Sequence, residues 1–135
     1  LFRSLAELSK TVSAGKLLMS NDREKLIQIR ELLHNKFGDQ LNIVFSKPYF
    51  LEVTDKKASK GSALLKAAEI YGIKQQEIIA MGDSENDLSM IRSAGLGVAM
   101  GNASDKIKKE ADFTTLSNNE SGVAYAVNKF IFNEA

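Results

Sequence analysis

GDSENDLSM, residues 82–90, follows the apolar run Ile78-Ile79-Ala80-Met81 and precedes a helical pattern. That order places two carboxylates, Asp83 and Asp87, at the carboxyl end of a buried strand. In open α/β sheets, ligands bind beyond the carboxyl ends of the strands. Asn86 lies beside Asp87, so two acids and an amide fall within five residues. They make a compact oxygen-ligand set, suited to a hard cation such as Mg²⁺. A plainer reading stands beside this one. Ser84 caps the following helix with Asp87 at its third position, and both acids are favoured by the helix dipole. Capping explains neither Asp83 directly after a strand-end glycine nor Asn86 beside Asp87, so both roles are expected.

Outward from this stretch, the second half of the chain alternates in periodicity. A helix over 59–71, with Leu64, Leu65 and Ala68 apolar, ends at Gly72. Strand 78–81, helix 85–94, strand 96–100, helix 104–111, strand 113–116 and helix 120–132 follow. This alternation implies a parallel sheet with right-handed crossovers. The first half has another texture. Phe2, Leu5, Ala6 and Leu8 predict a short helix in the first dozen residues, and KLLMS over 16–20 reads as a strand. Asn21 and Glu24 predict a capping box for a helix with the apolar stripe Leu26, Ile29, Leu33 and Phe37, ended by Gly38. Residues 41–45 and 49–54 read as paired strands around Ser46-Lys47-Pro48, where the lone proline does least harm. The boundary falls near 53–58, dividing a small α+β lobe (1–54) from half of an α/β core (55–135). Phe37, Phe45, Tyr125 and Phe130 are expected in core or half-buried positions.

At 135 residues the chain suffices for one ordinary domain or two partial lobes. An apolar fraction of 44% with 26% charged residues is that of a soluble globular protein. Lys+Arg 18 against Asp+Glu 17 leaves no basic excess, which argues against a nucleic-acid partner. The absence of cysteine excludes disulfides, thiolate metal sites and a cysteine nucleophile. No apolar stretch approaches the roughly 20 residues of a membrane span, and residues 1–10 do not read as a signal peptide. The expectation is a cytoplasmic protein with no membrane partner, processed or truncated, since its first residue is Leu.

Three lysines cluster in Lys56-Lys57-Ala58-Ser59-Lys60-Gly61. Lys56 and Lys57 read as a solvated face. Lys60 differs, because an ammonium at a helix start adds to the unpaired backbone N–H groups and attracts phosphate. Gly95, Gly97 and Gly101 have the spacing GxGxxxG over a strand, so the dinucleotide fingerprint fails. Asn102 follows that strand and is expected near the site mouth. His34, the single histidine, sits in a polar stretch of a surface helix and is assigned no role.

Lys60-Gly61, then GDSENDLSM, then GVAMGNA over 97–103, closely resembles the haloacid dehalogenase-like (HAD) superfamily. The nearest group is its Cof-type sugar-phosphate phosphatases. The resemblance covers about residues 49–132, and the first 48 are similar to the closing part of that group's α+β cap. It implies the fold class: the C-terminal half of a Rossmann-like parallel-sheet core, preceded by part of a cap. It also implies Mg²⁺-dependent hydrolysis of small phosphorylated metabolites through a phosphoaspartate. By resemblance, Asp83 ligates Mg²⁺, while Asp87 supports its water shell or positions Asp83. Asn86 and Asn102 join the substrate- and phosphate-binding set, and Lys60 neutralises the nucleophilic carboxylate and the phosphoryl oxygens.

One departure from the family pattern stands out. The family needs Asp-x-Asp on its first strand and a Ser/Thr after a second. The seven aspartates here, at positions 22, 39, 55, 83, 87, 105 and 112, include no pair spaced i, i+2. Asp55 follows an apolar strand, but Lys57 occupies the partner position. The chain is therefore expected to be the C-terminal half of a longer phosphatase, inactive alone, with the missing N-terminal half as partner. In that family the nucleophile strand neighbours the strand at 78–81, which is expected to expose an edge for that half or for self-association. The alternative is a non-catalytic metal- or phosphate-binding or interaction module.

Overall fold

Alternating apolar residues in two neighbouring strands build the first sheet. The computed structural model describes Glu7 and residues 9–133, so the helix predicted for the first dozen residues lies largely outside the described residues. Strands β1 (Leu17–Ser20), β2 (Leu41–Lys47) and β3 (Phe50–Asp55) pair antiparallel in the order β1-β3-β2. Side chains alternate across a pleated strand, so Ile43, Phe45, Leu51 and Val53 share one face and are all buried. Helix α1 (Arg23–Phe37) covers that face with fully buried Leu26, and Ile29 and Leu33 pack beside it. Gly38, at φ 52°, ends α1, and its N–H donates to the carbonyl of His34. The opposite face carries Asn42, Val44, Glu52 and Thr54 and borders a cleft.

The predicted Asn21–Glu24 capping box does not form. The N-cap position belongs to Asp22, and the Asn21 side chain accepts the Asp22 N–H at 2.9 Å instead. A short amide side chain satisfies a neighbouring backbone group in this way as readily as it caps a helix.

The second sheet is parallel: β4 (Ile79–Gly82), β5 (Leu96–Ala99) and β6 (Phe113–Thr114), in that order. Helix α2 (Lys60–Tyr71) precedes it. Ser59 Oγ accepts the Ser62 N–H at 3.1 Å at the start of α2, and left-handed Gly72 ends it. A 3₁₀ turn (Glu85–Asp87) and helix α3 (Leu88–Ser93) link β4 to β5, and helix α4 (Asp105–Lys108) lies between β5 and β6. Leu88, Ile91, Ala99, Ala103 and Ile107 form the core of this part. The mixed α/β architecture with a parallel sheet is the one the alternation predicts. Strand β4 pairs with β5 alone, and among the described residues its other edge has no neighbour. No described helix is long and apolar enough to cross a membrane.

Elements toward the C-terminus differ from expectation: the helix expected over 104–111 spans only Asp105–Lys108, and the strand expected over 113–116 only Phe113–Thr114. The final helix is broken into a 3₁₀ turn (Asn118–Glu120), helix α5 (Gly122–Val127) and a π turn (Asn128–Phe132), with Ser121 at φ 58° between the first two. Helix α5 buries small residues, Gly122 and Ala126, so Tyr125 faces outward and is 42% exposed rather than in the core.

Helix α2 approaches α3 closely because position 61 has no side chain. A Cβ on Gly61 would lie 2.4 Å from the carbonyl oxygen of Ser89, whose Oγ accepts the Gly61 N–H at 3.0 Å. Gly61→Ala should therefore lower the free energy of unfolding by about 1–3 kcal/mol through overpacking. Gly15→Ala, with nothing within 4 Å of its Cβ, should stay within about 0.5 kcal/mol of the parent. Urea denaturation of the two variants checks the contrast.

Candidate active site

Gly82 closes β4, and the chain folds back at once. A Cβ there would lie 2.4 Å from Asp87 Cβ, so glycine leaves the space into which Asp87 tucks. Asp87 Oδ2 accepts the N–H of Asp83 at 3.1 Å and that of Ser84 at 3.0 Å. Its Oδ1 meets Lys60 Nζ, brought in by the first turn of α2. Asp87 is only 5% exposed. A buried carboxylate needs such partners, and two backbone donors with one ammonium supply them.

Asp83 is differently placed. It is half-buried, with Oδ1 accepting from Ser84 Oγ at 2.8 Å and Oδ2 from Asn102 Nδ2 at 2.7 Å. Asn102 lies just beyond β5 and is itself held by the Asn118 N–H, which donates to its Oδ1 at 3.0 Å. Each Asp83 oxygen accepts a single side-chain bond and keeps acceptor capacity. The capping reading accounts for part of this loop. Asp87 does take the N–H of Ser84, but the Ser84 hydroxyl turns to Asp83, and the Asp87 N–H donates to the Ser84 carbonyl at 2.9 Å.

The structure thus brings Lys60, Asp83, Asn86 and Asp87 to one loop and joins Asn102 to it through Asp83. Two clefts border the loop. One, of about 580 Å³, lies between the open face of the antiparallel sheet and the start of α2, with Asn42, Thr54, Lys57, Lys60 and Asn86 in its wall. The Asn86 side-chain oxygen Oδ1 is buried and has no hydrogen-bond partner among the described residues. The other, of about 840 Å³, is lined by Phe45, Ser46, Asp83, Glu85 and Lys106 among others. His34 and Lys56 are exposed.

Among the described residues, no three His, Asp or Glu side chains converge as a metal site. The donor chemistry nevertheless fits Mg²⁺ in part. That ion keeps several waters and binds through one or two carboxylates. Asp83 has acceptor capacity to offer it, whereas both oxygens of Asp87 are already engaged.

Glu85 is the site-loop residue that sequence reasoning left without a role. Its carboxylate receives two bonds from the Arg30 guanidinium, at 2.9 and 3.3 Å, and one from the Phe45 N–H at 3.2 Å. Lys106 Nζ lies 3.7 Å away. Burial alone would raise its pKa, but the Phe45 N–H and Arg30, helped by Lys106, outweigh that and hold it below the usual 4.5. Phe45 and Arg30 lie 40 and 55 positions away in the chain, so no local pattern signals the pairing.

Residues 4–127 match the haloacid dehalogenase-like hydrolase family. Over 116 residues the chain is 44% identical to the 5-amino-6-(5-phospho-D-ribitylamino)uracil phosphatase YwtE of Bacillus subtilis, covering 85% of this chain and 40% of that protein. The fold superimposes on a haloacid dehalogenase-like hydrolase from B. subtilis with a TM-score of 0.81 and 38% identity, over 96% of this chain and 46% of the other. It superimposes on a subclass IIB sugar phosphatase of the HAD superfamily with a TM-score of 0.79 and 29% identity, over 92% and 46%. A parallel sheet with a GDxxxD loop at its mouth, and these likenesses, define the class: the chain belongs to the haloacid dehalogenase-like hydrolases. It spans about half the length of the relatives it matches.

The two aspartates should separate in stability. Asp87→Asn weakens both backbone bonds and leaves Lys60 without its counter-charge, and should cost about 1–3 kcal/mol of unfolding free energy. Asp83→Asn, half-exposed and bound by side chains alone, should cost less than about 1 kcal/mol. Denaturant melts of the two variants, without added metal, test the ordering.

Proposed function

We propose that this chain forms the Mg²⁺-binding, phosphate-neutralising half of an enzyme that hydrolyses small phosphorylated metabolites of the sugar-phosphate kind. The observation that carries the reading is the loop itself. A carboxylate with spare acceptor capacity, Asp83, sits beside a buried Asp87 that holds Lys60 at the cleft. Asp83 would hold the Mg²⁺ with Asp87 behind it, and the ion, when bound, supplies charge neutralisation at the phosphoryl oxygens.

The remaining work falls to this chain's own side chains. Asp87 fixes the backbone at Asp83 and Ser84 and orients Lys60. Lys60 keeps further N–H donors for a phosphoryl oxygen. Asn102 orients Asp83. Asn86 lines the cleft beside Lys60, where its amide N–H groups and oxygen would meet a hydroxylated leaving group. The phosphatase relatives, one named for a phosphoribityl compound and one for sugars, support a substrate of this kind.

No two aspartates here are spaced i, i+2, so a phosphoaspartate mechanism takes its nucleophile and general acid/base from outside this chain. The chain alone is then without turnover. Its partner is the half that carries those groups, docked along the free edge of β4, and in the absence of that half the same edge favours self-association. A cytoplasmic setting with small-molecule substrates fits this reading. The lack of an Asp-x-Asp pair favours, as a second reading, a metal- or phosphate-binding module without catalysis.

Calorimetric titration of the chain with Mg²⁺ and inorganic phosphate, paired with a phosphate-release assay on sugar phosphates, tests the proposal. We expect Mg²⁺ binding that Asp83→Ala abolishes, phosphate binding that Lys60→Met weakens, and no release by the chain alone. Turnover by the isolated chain would overturn the split of catalytic groups. No affinity for either ion would overturn the site.

A further inference from the structure

Glu85 joins the two sheets. Among the described residues, the hydrogen bonds and ion pairs running between 17–54 and 79–133 all end on its carboxylate. Arg30 comes from α1 and the Phe45 N–H from β2, so one side chain grips both the helix and a strand of the antiparallel lobe. The β2 register slips between Phe45 and Lys47. Such an irregularity re-aims the backbone beside it, and here the Phe45 N–H serves Glu85. The Phe45 ring is held in its turn, with Arg23 Cζ 3.5 Å from its centroid and Arg30 Cζ at 5.4 Å. Arg30 and Glu85 side chains are 30% and 22% exposed, so the pair is better shielded from water and salt than an ordinary surface ion pair.

The other end of Glu85 is rigid. It begins the 3₁₀ turn that ends in Asp87, and the Leu88 N–H donates to its carbonyl. It is two residues from Asp83 on one side and two from Asp87 on the other. A movement of the antiparallel lobe therefore pulls on the same turn that holds both aspartates.

We infer that Glu85 is a positioning residue, which seats the antiparallel lobe on the Asp83–Asp87 loop and so couples the placement of that lobe to the geometry of the site. This holds whichever ligand the site takes. Without Glu85, the lobe stays attached through the connection at 55–59. There Asn42 Nδ2 and Thr54 Oγ1 donate to the Ala58 carbonyl at 3.2 and 2.9 Å. Those bonds tether the lobe but do not hold it against the loop.

The chain has no cysteine, so Asn35→Cys in α1 and Lys109→Cys beyond α4, both exposed, take spin labels cleanly for pulsed distance measurement. The parent should give one narrow distance. Glu85→Ala should broaden it and add a second population, and its Phe45 amide should exchange about tenfold faster with the charged acceptor gone. Glu85→Gln, which keeps an acceptor for that N–H, should recover much of the narrow distance. Arg30→Met reaches the same pair from the other lobe, and should broaden the distance even if Glu85→Ala folds poorly. A merely structural role would lower the melting temperature and leave the distance untouched. Unchanged distributions in both Glu85→Ala and Arg30→Met would overturn the inference.

Discussion

The carboxylate of Asp87 is the constraint on which the site depends. It is buried, and a buried charge left unpaired costs several kcal/mol, so its three donors must all be in place. Each donor fixes a different part of the molecule. The N–H groups of Asp83 and Ser84 fix the tight return of the chain after β4, and that return requires a residue without a side chain at position 82. The Lys60 ammonium fixes where α2 begins. Gly61, next in the chain, then lies against the Ser89 backbone of α3, and α2 and α3 pack at that distance. One buried charge thus sets the loop, the helix start and a helix–helix contact. Groups held this way need not reorganise when a ligand charge arrives, which is how preorganised sites stabilise charge.

The antiparallel lobe divides its two faces between stability and access. The pleat sends Ile43, Phe45, Leu51 and Val53 to α1 and leaves Asn42, Glu52 and Thr54 to the cleft beside Lys60. A one-residue slip in register would exchange these sets, so burial of the apolar face also fixes which polar groups meet a ligand. Glu85 complements that arrangement from the core side. Its partners, Arg30 and the Phe45 N–H, belong to the elements that build the lobe's own core. Lobe packing and loop geometry therefore meet in one carboxylate.

Asp83 and Asp87 illustrate how neighbouring residues of one type diverge by environment. Asp87 faces inward and has both oxygens committed to donors within the chain. Asp83 lines the second cleft, together with Phe45 and Ser46, where Ser84 and Asn102 orient it without exhausting it. The buried acid holds the frame, and the half-exposed acid keeps the capacity to act. Asn102 reaches that position because β5 runs parallel to β4 and delivers its following turn to the same end of the sheet.

What the sequence determined by itself is local or periodic. The stripe Leu26, Ile29 and Leu33 and the alternation of β2 and β3 specify their buried faces, because period alone decides which residues share a face. Gly38 and Gly72 end their helices through left-handed backbone that glycine adopts freely. GDSENDLSM after an apolar run announces two acids at a strand end, and Lys60 before Gly61 announces a cation at a helix start. The tertiary structure decided everything that depends on distant partners. It committed Asp87 to Lys60, 27 positions away, and left Asp83 open. It gave Glu85 its partners 40 and 55 positions away. It turned Tyr125 outward, because close packing at Gly122 and Ala126 chose the other side of that helix. Propensity and period act within a few residues of the chain, whereas the pairing of charges is settled only when folding brings them out of water together.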